Sequence, residues 1–70
     1  MEPLPVAELE AAINRARSAQ PAAGAAAALS RDVALLAGVY GRAIHARRDS
    51  IDLESLSDEE QLALLRWLAA

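Results

Sequence analysis

The residues best able to do chemistry lie in one basic stretch. Arg42, His45, Arg47 and Arg48 fall within seven positions of one another. In linear order they suggest an anion or nucleic-acid site, since arginine binds phosphate and carboxylate oxygens. On a helical wheel, however, Arg42 and His45 project away from the apolar stripe, whereas Arg47 projects into it. The stretch therefore predicts solvated cations at a helix C-terminus, not one patch.

Arg47 needs a separate explanation, because an arginine on an apolar face must find a partner or extend to solvent. Asp49, Asp52 and Glu54 follow it closely in the chain. We expect Arg47 to form an ion pair with one of these carboxylates and so to fix the turn after its helix.

Catalytic and metal-binding groups are sparse. His45 is the single histidine and there is no cysteine, so no nucleophile and base assemble and no thiolate site is available. The later half carries the carboxylates Asp49, Asp52, Glu54, Asp58, Glu59 and Glu60. They lack the spacing of a calcium-binding loop, which favours a solvated acidic surface. We therefore expect that the protein is not an enzyme and that it has no catalytic residue, no cofactor and no metal site.

The length and charge of the chain limit the classes of protein to which it can belong. The chain has 70 residues and a net charge of −3, which suits one small domain and disfavours electrostatic binding to nucleic acid. About half of its apolar residues are alanine, so the core is thin and homo-oligomerisation stays possible. Apolar runs fall short of the ~20 residues of a membrane span. The acidic start does not resemble a signal peptide, so we expect a soluble protein in the bacterial cytoplasm.

Three helices are predicted to position these residues, over about 5–19, 30–48 and 58–69, with an alanine-rich linker over 20–28. Pro5 suits the first helical position. Alanine favours the helix, so the second helix is expected to begin anywhere from Ala25 to Arg31. Ser30 is a possible N-cap, with Asp32 near the positive end of the helix dipole. Ser57 and Glu60 form a capping box for the third. The fold expected is all-α, either a small three-helix bundle or a helical hairpin that dimerises.

The second helix has a wide predicted apolar face, centred on Val33, Leu36, Ala37, Tyr40 and Ile44. Gly38 and Gly41 lie on another side of it, and each costs about 1 kcal/mol relative to alanine in a helix. Two explanations stay open for them: the close approach of another helix, or a tolerated weakness or kink. On the third helix, Trp67 falls outside the leucine stripe.

Two stretches carry a resemblance to a known family. The run from Leu9 to Asn14 contains the pattern L-E-x-A-I-N, and Arg47 to Ile51 reads R-R-D-S-I. With these motifs the chain resembles a family of short proteobacterial proteins that is catalogued only as a domain of unknown function. The family often has aromatic residues after the asparagine, where this chain has Arg15 and Ala16. The resemblance implies a self-contained bacterial domain and no particular activity, cofactor or substrate.

The sequence therefore favours a non-enzymatic protein-interaction module with an unknown protein partner. The candidate interaction or structural residues are Asn14, Tyr40, Arg47, Arg48, Asp49 and Trp67. The alternative is a small nucleic-acid-binding or regulatory protein that uses Arg31, Arg42, His45 and Arg48, which the acidic balance disfavours. The partner, the pathway, the oligomeric state and whether residues 22–28 are helix or linker stay open at this level.

Overall fold

A computed structural model describes residues 3–19 and 26–69. Its three helices pack against one another, which confirms the predicted small helical bundle. The helices are α1 (Val6–Ser18), α2 (Ala26–His45) and α3 (Asp58–Leu68). The smaller elements are strand β1 (Leu4–Pro5), strand β2 (Ser50–Ile51) and a 3₁₀ turn at Leu53–Ser55. Dimerisation stays a prediction.

The helix ends differ from the predicted ones for local reasons. Pro5 is the N-cap of α1, in extended conformation, and not its first helical residue. Helix α2 already includes Ala26–Leu29, because alanine favours the helix, so Ser30 lies inside it and is not the N-cap. The rest of the predicted linker, residues 20–25, lies outside the described residues. Helix α2 ends at His45, three residues before the predicted 48.

The predicted capping box at the start of α3 is present. The Ser57 hydroxyl oxygen accepts a hydrogen bond from the Glu60 backbone N–H at 3.1 Å, and Glu60 Oε1 accepts one from the Ser57 N–H at 3.0 Å. These bonds satisfy two backbone donors that a helix N-terminus would otherwise leave free. Helix α3 therefore begins where its own sequence dictates.

The core is small and draws on all three helices. Leu9, Leu36 and Leu64, one from each helix, are its largest fully buried side chains. Ala12 and Ala63 are also inaccessible to solvent, which lets the helices approach closely. On α2 the buried line runs through Leu36, Val39 and Ala43, because α1 and α3 both pack there.

The wide apolar face predicted for α2 is consequently only partly buried. Val33, Ala37 and Tyr40 are half-buried, and Ile44 is 50% exposed. Val39, which is not one of the residues of the predicted face, is a core residue. The two neighbouring helices shift the buried face around α2, and this shift depends on the tertiary arrangement.

A buried carboxylate links α2 to the end of α3. The Asp32 side chain is only 3% exposed, and its Oδ2 accepts a hydrogen bond from Trp67 Nε1 at 3.1 Å. Arg66 Nη1 lies 3.0 Å from the same oxygen. Among the described residues, no donor reaches the other oxygen, Oδ1. Asp32 was expected near the helix dipole, but its structural role is this link between helices.

A cation from α1 reaches the same end of α3. Arg15 Nη1 donates to the backbone oxygen of Trp67 at 2.8 Å and lies 3.4 Å from that of Leu68. The last carbonyls of a helix have no partner within it and carry partial negative charge. Arg15 therefore serves as a side-chain cap for α3.

We expect Asp32→Ala to lower the free energy of unfolding by about 2 kcal/mol, because it leaves the half-buried Trp67 N–H without its acceptor and removes a buried ion-pair partner. Urea unfolding followed by Trp67 fluorescence measures the loss. Glu54→Ala removes an exposed carboxylate outside this link and serves as the control, with an expected change within about 0.5 kcal/mol. Equal stability of the two variants would contradict the assigned role.

Candidate interaction surface

The candidate residues from the sequence occupy three separate places. Asn14 and Tyr40 line one groove between α1 and α2. Arg47, Arg48 and Asp49 form the turn that follows α2. Trp67 belongs to the Asp32 link and packs partly against the core.

The groove between α1 and α2 has a volume of about 240 Å³. We call it the α1–α2 groove. Its lining residues are Glu10, Ile13, Asn14, Arg17, Ala37 and Tyr40. The four α1 residues are spaced i, i+3, i+4 and i+7, so they share one face of that helix. The groove therefore has an apolar floor, from Ile13 and Ala37, between polar side chains.

Tyr40 is held in place within this groove. Its hydroxyl donates a hydrogen bond to Glu10 Oε1 at 2.9 Å. That bond raises the pKa of Tyr40 above its ordinary value of 10.0, and the negative charge of the carboxylate adds to the shift. The phenol is therefore neutral at physiological pH, with its ring half-buried against the core and its hydroxyl fixed.

Arg47 acts through its backbone and not through the predicted ion pair. Its φ is +56°, the left-handed conformation. The Arg47 N–H donates to the Ile44 oxygen at 3.0 Å, and the Arg48 N–H donates to the Ala43 oxygen at 2.9 Å. These two bonds form a Schellman motif, which ends a helix. Because α2 ends first, Arg47 never reaches the apolar stripe, and within the described residues no carboxylate pairs with it.

The residues after Arg47 fasten the N-terminal segment to the bundle. The backbone carbonyl oxygen of Asp49 accepts a hydrogen bond from the Val6 N–H at 2.9 Å. Strands β1 and β2 pair antiparallel, with Leu4 opposite Ile51, and both of these side chains are buried. We call this arrangement, residues 4–6 with 49–51, the clasp. Two-residue strands carry no periodic signal, so the sequence did not predict it.

A second groove, of about 220 Å³, lies beside the clasp, with two arginines at its edge. Arg42 Nη2 is 2.7 Å from Glu60 Oε2, and Arg48 Nη2 is 3.6 Å from Asp52 Oδ2. Both guanidinium groups are more than half exposed but have carboxylate partners. Two arginines of the basic stretch thus line one groove, and each of them has a carboxylate partner.

Gly38 and Gly41 lie on the exposed side of α2. A Cβ at Gly38 would meet only the tip of Arg42, at 3.7 Å, and one at Gly41 would meet no described atom within 4 Å. Close packing within the described chain therefore does not explain either glycine.

Residues 3–19 and 26–69 contain neither a cluster of metal ligands nor a membrane-spanning helix. No three histidine, aspartate or glutamate side chains converge there as potential metal ligands. None of the helices has both the length and the hydropathy needed to span a bilayer.

Comparison with known proteins identifies the family. The family model described as "Protein of unknown function (DUF3717)" matches residues 2–69. The chain therefore belongs to this family, as the two motifs suggested. No curated protein matches the chain, and no solved structure does.

The Arg47 conformation predicts that Arg47→Gly stabilises the protein by about 0.5–1 kcal/mol, since glycine adopts positive φ without a Cβ penalty. Thermal unfolding should show a Tm higher by roughly 3–6 °C. Arg47→Ala retains the Cβ and loses only a solvated side chain, so its Tm should match the wild type. A marked loss of stability in Arg47→Ala would instead restore the ion-pair interpretation.

Glu60 predicts a pH dependence of stability. The hydrogen bond from Arg42, followed by that from the Ser57 backbone, lowers the pKa of Glu60 below its ordinary value of 4.5. A carboxyl with a lowered pKa stabilises the fold above its unfolded-state pKa, and this contribution is lost as the pH falls through the folded-state pKa.

Glu60→Gln keeps the capping-box acceptor but removes the charge. We expect it to lower the free energy of unfolding by about 0.5–1 kcal/mol at pH 7 and by progressively less below pH 4.5. Urea titrations across pH 2.5–7 measure this difference, with Glu59→Gln as the adjacent control. A constant difference at every pH would show that the Glu60 charge is not responsible.

Proposed function

We propose that this protein is a non-enzymatic protein-interaction module and that the α1–α2 groove binds its partner. The observation that carries the proposal is Tyr40, held by Glu10 above an apolar floor in an open groove. Tyrosine is enriched at the energetic centres of protein interfaces, because its ring supplies contact area and its hydroxyl a polar contact. Since Glu10 already fixes the hydroxyl, little side-chain freedom is lost on binding.

The form and charge of the groove favour an amphipathic helix as the bound segment. Two neighbouring helices form its walls, and such grooves accept a third helix through apolar side chains spaced by three or four residues. Glu10 and Arg17 are separated by about 10.5 Å along α1. A complementary helix therefore carries a basic side chain near Glu10, an acidic one near Arg17 and apolar ones between.

The charge distribution supports a protein partner over a nucleic acid. Arg42, Arg48 and Arg66 each have a carboxylate within 4.0 Å. Binding a phosphate backbone would require these pairs to break or would leave their negative charges close to the phosphates. The net charge of −3 acts in the same direction. We place the interaction in the bacterial cytoplasm, a reducing compartment that suits a chain without cysteine.

A site-specific photo-crosslinker tests the groove. Benzoylphenylalanine at position 14 replaces Asn14. In the matched control it replaces Arg31, which is exposed and lies about two and a half turns before Tyr40, on the opposite side of α2. Irradiation of the native cells should cross-link one protein to the variant with the crosslinker at position 14. The variant with the crosslinker at position 31 should not be cross-linked to it. Equal capture at both positions would contradict a groove-specific partner.

The captured protein is then purified and its affinity measured by calorimetry. We expect Tyr40→Ala to weaken binding at least tenfold, about 1.4 kcal/mol, while Arg31→Ala leaves the Kd unchanged. Circular dichroism of the free variants controls for folding. Wild-type affinity in Tyr40→Ala would rule out the groove as the docking surface. A low-salt titration with duplex DNA and with RNA, in which no binding is expected, tests the nucleic-acid alternative.

A further inference from the structure

Helix α3 has an apolar side that the bundle does not cover. Leu62 and Leu65 are 58% and 59% exposed, the two highest values among the exposed large hydrophobic side chains of the described residues. Leu53 and Leu68 lie half-buried beside them. We call these four residues the α3 leucine face. Adjacent exposed leucines on a small domain are typical of a surface that another molecule covers.

The α3 leucine face contains a recess of about 100 Å³. Leu53, Gln61, Leu64, Leu65 and Leu68 line it. The Gln61 amide nitrogen donates to the Leu56 backbone oxygen at 3.1 Å, so its polar end is occupied within the chain. The recess is therefore almost entirely apolar and suits a leucine side chain from outside.

The charges along α3 indicate which molecule supplies that leucine. The first turn is acidic, with Asp58 and Glu59, and the last turn carries Arg66. Arg66 pairs with Asp32 through one nitrogen but stays half exposed, and a guanidinium has donors for a second carboxylate. Two α3 helices placed antiparallel would each bring an acidic turn to the basic turn of the other, and their dipoles would also oppose favourably.

We propose that a second copy of this chain covers the α3 leucine face, with the two α3 helices antiparallel around a two-fold axis. The same residues then serve both copies, as a two-fold interface requires. The axis passes between Leu62 and Leu65, so Leu62 of each copy faces Leu65 of the other. A leucine side chain of each copy then fills the recess of the other copy. Position 58 of one copy lies close to position 69 of the other.

This dimer goes beyond the proposed partner binding and uses different residues. The α1–α2 groove lies on α1 and α2, whereas the α3 leucine face lies on α3 and the 3₁₀ turn before it. A dimer built on α3 therefore leaves Tyr40 and Asn14 accessible, and either proposal can fail without the other. The face is small for a stable interface, so we expect a Kd between about 10 μM and 1 mM.

Sedimentation equilibrium across this concentration range tests the dimer. The wild type should shift from a mass of 7.4 kDa toward twice that value as its concentration rises. Leu65→Glu and, independently, Leu62→Glu should raise the Kd at least tenfold. Ile44→Glu, at a 50% exposed position on α2, is the matched control and should dimerise like the wild type. Circular dichroism verifies that each variant is folded.

Introduced cysteines test the antiparallel orientation, since the natural chain has none. A mixture of Asp58→Cys and Ala69→Cys should oxidise mainly to the mixed disulfide, and each variant alone should cross-link much less. A monomeric wild type at 1 mM, equal association of Leu65→Glu, or preferential cross-linking of position 58 to itself would each overturn the proposal.

Discussion

A small core of aliphatic side chains, centred on Leu9, Leu36 and Leu64, holds this bundle together, and so small a core does not by itself fix how the helices are aligned. The buried Asp32 carboxylate supplies much of that alignment, because its hydrogen bond to Trp67 and its ion pair with Arg66 require one register of α2 against α3. A buried carboxylate that loses its partners stays desolvated, whereas an exposed one is solvated by water. The alternative registers, which leave this carboxylate unpaired, are therefore strongly disfavoured.

Each pair of helices has such a polar link at its margin. Tyr40 joins α2 to Glu10 of α1, and Arg15 joins α1 to the final carbonyls of α3. The Arg42 ion pair with Glu60 fastens α2 to the beginning of α3, at the opposite end from Asp32. The thin apolar core thus holds the helices together, while these polar contacts determine how the helices are oriented relative to one another. Arg15, Arg42 and Arg66 thus each link two helices.

The motif R-R-D-S-I obtains a physical meaning from the clasp. Arg47 ends α2, the Asp49 carbonyl receives the first N–H of α1, and Ile51 pairs with Leu4. One five-residue segment therefore terminates one helix and anchors the start of another. The two surfaces that we propose for binding, the α1–α2 groove and the α3 leucine face, do not include these residues. The proposed dimer and the proposed partner contact use different elements, so neither one requires the other.

The sequence by itself determined the features that depend on neighbouring residues: three helices and the capping box at Ser57. Only the tertiary structure decided the rest, because the deciding partners are distant in the chain. Asp32 and Trp67 are 35 positions apart, and Leu4 and Ile51 are 47 apart. Arg47 combines a local and a tertiary feature. Its ion pair was wrongly predicted because the helical wheel assumed that the helix continues through Arg47, whereas α2 ends at His45.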